Sequence, residues 1–229
     1  MRAAVFFAGE SPNGAAGAPR IVPGLFHEAR KGRYEISIEY LQVLMPRSAA
    51  ATAFERAARA IAFGKDAVKE YREMERPMAA GAENYYGAAY ETTYLDPRLV
   101  SVVFTISTFT GGAHPNNARI GLLFDLEHGR ALRLSDVLAA PKSAVAEIAK
   151  ACRAQLEAQA KEEGWELFDN ADVGAVVGEV TNWSANKDGL EILFDPYSVA
   201  AYVVGPRECR LAYAELEYWL KRGGMLPPR

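Results

Sequence analysis

Tyr34, Ile36, Ile38 and Tyr40 alternate with Glu35, Ser37 and Glu39, the period of two that marks a half-buried strand. Pro46 ends the run, since proline has no donor for a sheet ladder. The period then changes. Across residues 49–75, Phe54, Ile61, Val68 and Tyr71, joined by Ala57 and Ala58, form one apolar stripe among Glu, Arg and Lys. That stripe predicts an amphipathic helix, with Thr52 as its early cap, Gly64 as a weak point, and Pro77 and Gly81 closing the segment. Two strands follow. Tyr86, Ala88, Tyr90, Thr92 and Tyr94 share one face, and after the Asp96-Pro97 turn Val102, Phe104, Ile106 and Thr108 share another.

Residues 111–117, GGAHPNN, continue neither period and lead into an extended run at 120–124. A turn is expected from Asp125 to Gly129, and Ser135 or Asp136 can cap a short helical turn beyond it. The clearest helix spans about 143–163, where Val145, Ile148, Cys152 and Leu156 lie three or four residues apart and Gly164 supplies the stop. Residues 165–178 read as loop with a short helix. Asn186-Lys187-Asp188-Gly189 predicts a hairpin between strands at 180–183 and 190–194. Asp195-Pro196 has the form of a cap before a first-turn proline. A last strand at 209–213 and a helical turn at 215–220 complete the pattern. The succession predicts an α+β fold of antiparallel sheets, each covered by one long helix.

The 229 residues carry a net charge of −3, so no basic stripe points to nucleic acid. No apolar run approaches the roughly 20 residues of a membrane span, and the opening MRAAVFFAGE is too short in its apolar core for a signal peptide. Cys152 and Cys209 can pair once. With three histidines (His27, His114, His128) and neither HExxH nor CxxC, no metal or other cofactor is expected.

Candidate chemistry is sparse. Gly111 and Gly112 permit close backbone approach, and His114, Asn116 and Asn117 offer donors and acceptors, although such a loop can also be a mere connection. Asp125 and Asp195 each follow a phenylalanine and could share acid–base work, but their contexts are those of a turn and a cap. No GxSxG marks a hydrolase, and Ser107 falls in mid-strand. Tyr85, Tyr86, Tyr90 and Tyr94 could stack on a sugar or simply pack a strand, and Trp165 and Trp183 admit the same two readings.

Three stretches together resemble a known family: GGAHPNNARIGLLFDLEHGRALRLSDVL at 111–138, the helix after it, and DGLEILFDPYSVAAYVVGP at 188–206 followed by Tyr213-Ala214-Glu215-Leu216. They are similar to the RsiV/PdaC-like domain of unknown function, and residues 33–109 resemble the smaller domain that precedes it. The polar, glycine- and proline-rich opening reads as a flexible leader, set at 1–32, and 223–229 as a tail; the resemblance implies a small N-terminal α+β domain at 33–110 and a C-terminal α+β domain at 111–222. It also implies a stand-alone, periplasmic or extracytoplasmic envelope protein. The expected role is non-catalytic binding of a lysozyme-like protein or of peptidoglycan, with residues 111–117 as the site. The alternative is a peptidoglycan-acting hydrolase or an accessory domain of one.

Overall fold

In the computed structural model, which describes residues 18–45, 47–75, 77 and 82–226, the first alternating run is the second strand of a hairpin, β1 (Arg20–Arg30) and β2 (Tyr34–Met45). This corrects the expected leader over residues 20–30; residues 1–17, and Pro46 and Gly81, lie outside the described residues. β1 escapes notice because it is an edge strand with no fully buried position, and an edge tolerates Pro23. The chain then forms α1 (Ala49–Phe63) and α2 (Ala67–Glu73). The single helix expected over 49–75 is therefore two: Gly64, at φ 57°, ends the first. Ser48, whose side chain accepts from the Ala51 N–H, is the cap in place of Thr52.

β3 (Asn84–Leu95), β4 (Leu99–Phe109), β5 (Asn116–Asp125) and β6 (Arg130–Ala131) complete a six-stranded sheet in chain order. Its neighbours are antiparallel except β2 and β3, which run parallel. The exception follows from connectivity, because α1 and α2 carry the chain back across the sheet to start β3 beside the start of β2. A bulge between Thr92 and Tyr94 turns Tyr94 off the face that Tyr86, Ala88 and Tyr90 share. The boundary expected at 110/111 falls inside the β4–β5 hairpin, and the sheet continues across it.

One face of this sheet packs on α1. Phe54, Ala58 and Ala62 meet Ile36, Ile38, Val102 and Phe104, and the Phe54 and Phe124 rings lie 5.4 Å apart. The opposite face carries the rest of the chain: α3 (Leu134–Val137), α4 (Pro141–Glu163), α5 (Val173–Val177), the three-stranded sheet of β7 (Trp183–Ala185), β8 (Gly189–Phe194) and β9 (Arg207–Ala212), then α6 (Tyr213–Leu216). The α+β class holds, with one long helix on each sheet. Residues 180–182 form a 3-10 turn and the strand begins at Trp183, three residues later than expected.

Ile148, Cys152 and Leu156 of α4 face Leu190, Ile192, Cys209 and Leu211. There Cys152 and Cys209 form a disulfide, with Cα atoms 5.2 Å apart. The expected tail also contributes, since Met225 and Leu226 are buried in this core. Where the sheets meet, a Cβ on Gly121 would lie 2.0 Å from the Trp183 carbonyl oxygen. A hydroxyl chain crosses the seam: Ser184 donates to Thr93 Oγ1 (2.9 Å), Thr93 to Ser101 Oγ (2.8 Å), and Ser101 Oγ accepts from the Ala185 N–H (3.0 Å).

Candidate functional site

The tip of the β4–β5 hairpin meets the segment that leaves β8. Gly111 and Gly112 turn the tip at φ 95° and 127°, and the space around Gly112 is open. His114 then lies flat on Tyr202, with ring centroids 3.6 Å apart and 15° between the planes. The His114 Nδ1 is 3.0 Å from the Pro115 carbonyl oxygen, which also accepts from the Tyr202 hydroxyl at 2.5 Å. Its Nε2 lies 3.4 Å from the Tyr197 hydroxyl. This pairing assigns the proton to Nδ1 and leaves Nε2 as acceptor. Tyr197 and Tyr202 are 5.4 Å apart. Asn117 accepts from Ser107 (2.6 Å) and donates to the Tyr202 hydroxyl (3.4 Å).

Of the expected site residues, His114 and Asn117 join this cluster, Gly111 and Gly112 shape its approach, and Asn116 is exposed at the start of β5, paired with Thr108. Tyr197 and Tyr202 were not expected. Their only signal in the sequence is the Asp-Pro-Tyr segment, which gives no hint that it folds against residues 114–117.

Tyr197 has φ 70°, a left-handed conformation rare outside glycine and held only where surroundings demand it. Asp195 is what holds it. Its carboxylate accepts from the Arg119 N–H of β5 at 2.8 Å, and its carbonyl accepts from the Ser198 N–H and hydroxyl at 3.0 and 2.6 Å. Burial pushes the Asp195 carboxyl above the usual carboxylate range, against the lowering effect of Arg119. Glu191 is raised by burial and by nearby Glu208. The Arg119 guanidinium donates to the Phe194 and Arg207 carbonyls and pairs with Glu208.

Asp125 and Asp195 are not brought together. Asp195 binds β5 at Arg119 and Asp125 ends that strand, about 20 Å farther along at an ordinary rise. Asp125 caps its own turn, accepting from the Glu127 and His128 N–H groups (2.9 Å each) and contacting His128 Nδ1 (2.7 Å). Burial pushes its carboxyl up, but these partners outweigh burial and hold it low. Asp125, Glu127 and His128 place ligand atoms within 4.8 Å of one another, yet the Asp125 oxygens are committed to the turn.

The β3 tyrosines are packing residues. Tyr86 is buried and donates to the Ala62 carbonyl at 2.9 Å; burial pushes Tyr86 and Tyr90 up to about 12. Trp183 is fully buried, its Nε1 donating to the Val177 carbonyl, and Trp165 lies beneath the Arg207 guanidinium. Ser107 faces an asparagine rather than a base. No helix among the described residues is long and apolar enough to cross a membrane.

Residues 28–117 match the family model described as deacetylase PdaC, and residues 135–214 match the one described as a protein of unknown function, DUF3298. No curated protein matches significantly. Among solved structures, a DUF3298 family member from Bacteroides fragilis NCTC 9343 is similar at TM-score 0.66 and 17% identity, covering 90% of this chain and 94% of its own. A DUF3298 family protein from Pseudomonas aeruginosa PAO1 has TM-score 0.66 and 16% identity, with 96% and 99% covered. At such identities the likeness establishes the fold.

Proposed function

We propose that this chain, whose residues 28–117 match the PdaC model and 135–214 the DUF3298 model, is a non-catalytic binding module of the cell envelope. Its contact surface is the hairpin tip, where His114, Tyr197 and Tyr202 stand together above Gly111, Gly112, Asn116 and Asn117. The observation that carries this reading is the preassembled, solvent-facing aromatic cluster. The His114 ring nitrogens meet a backbone carbonyl and a tyrosine hydroxyl, neither contact forming a nucleophile–base pair or supplying an orienting carboxylate. An extracytoplasmic location is consistent with the Cys152–Cys209 disulfide, since such bonds persist in oxidising compartments. The ligand class is an envelope glycan or a lysozyme-like protein.

The test is retention of the purified protein on peptidoglycan sacculi and on immobilised lysozyme. His114→Ala is expected to shift the melting temperature little, because its partners remain solvent-accessible, while weakening retention about tenfold through loss of the stack on Tyr202. Soluble muropeptides released by the native protein but not by His114→Ala would overturn the non-catalytic reading in favour of a hydrolase.

A further inference from the structure

We infer that the tip takes an uncharged pyranose ring, stacked on the outer face of Tyr197; this deepens the binding-module reading and rests on it. The first ground is charge. About a quarter of the chain is Asp, Glu, Lys or Arg, yet none occurs at residues 99–118 or 196–206, the two segments that build the tip. The nearest carboxylate in sequence, Asp195, is turned to the Arg119 N–H of β5. These two segments therefore bring no fixed charge of their own with which to recognise a phosphate, a polyanion or a basic protein.

The second ground is how the rings are held. Tyr202 is fully engaged: His114 covers one face, and its hydroxyl donates to Pro115 and accepts from Asn117. Tyr197 is different. It is 56% exposed, and it keeps a left-handed backbone. An exposed aromatic face beside amides and hydroxyls matches a sugar, whose axial C–H groups form an apolar face and whose edge groups need hydrogen bonds. Asn117, which reaches the Tyr202 hydroxyl, supplies such an amide.

Titration with N-acetylglucosamine tetramer and cellotetraose, followed by calorimetry and by tyrosine fluorescence, tests the assignment. At least one tetramer is expected to bind saturably. Raising salt from about 0.05 M to about 0.5 M should leave its affinity unchanged, since no charge takes part. Tyr197→Gly removes the ring while suiting the left-handed backbone, so it should melt no lower than the native protein yet lose about tenfold in affinity. Tyr197→Phe should retain binding, and Tyr218→Ala, at an exposed tyrosine elsewhere, should change nothing. Binding that survives Tyr197→Gly, or that collapses with salt, overturns the inference. So does failure of both tetramers; if lysozyme or another envelope protein is then still retained through His114, the module reading stands while the sugar assignment falls.

Discussion

Gly121 illustrates what one residue must do where two sheets meet. An added methyl would sit 2.0 Å from the Trp183 carbonyl and 3.3 Å from that of Thr181, backbone atoms that cannot swing aside. Gly121→Ala is therefore expected to destabilise by about 3 kcal/mol or more in urea unfolding. A midpoint equal to the native protein's would mean the sheets do not approach this closely. An isolated glycine between Ile120 and Leu122 hints at close approach, but nothing local names Trp183 as the neighbour. The same holds at the tip. The turn chemistry of residues 111–117 is local and was legible. The stacking of His114 on Tyr202 joins distant parts of the chain, and neither a helical nor a strand period brings Tyr197 and Tyr202 to one face. Half of the candidate site could thus be read from turn residues, and the aromatic half only from the fold.

Among the elements, α4 was the most legible because its stripe is long and unbroken. Leu156 is fully buried and Glu157 exposed, so Leu156→Asp should cost several kcal/mol, roughly 4 or more, while Glu157→Lys stays within about 0.5 kcal/mol. Equal melting temperatures for the two variants would refute the helix phase. The disulfide from α4 to β9 was an open alternative, since a stripe shows that Cys152 is buried but not what passes beneath it. With the cysteines 57 positions apart in the chain, chain-entropy arguments give the bond about 4 kcal/mol. Alkylation without reductant should leave no adduct on either cysteine by mass spectrometry, and reduction should lower the melting temperature; two adducts would show free thiols. The elements read wrongly share another cause. Alternation is blind to strand direction, so the parallel pairing of β2 with β3 was invisible, and β1 lacked the buried positions that give a strand its period.

At the scale of the molecule, carboxylates divide into those that favour the charged form and those that resist it. Asp136, held low chiefly by its hydrogen bonds from Arg130, and Asp125, held low by its turn against the effect of burial, add stability above the usual carboxylate range. That stability is lost as pH falls through their folded pKa values. Asp195 and Glu191 do the reverse, because burial raises both. A raised carboxyl binds its proton more tightly in the folded state, so its contribution is present below the unfolded pKa and lost as pH rises through the folded one. Asp195 is the informative case, since it ties the strained Tyr197 segment to β5 through the Arg119 N–H. Asn at this position keeps an oxygen for that N–H and removes the buried charge. Asp195→Asn is therefore expected to melt at or above the native temperature at neutral pH, with the difference closing as pH falls towards about 4. Melts from about pH 3 to about pH 8 decide it. A difference that does not change with pH would mean that the Asp195 charge carries no net cost in the fold, and that the loop is held by the hydrogen bond alone.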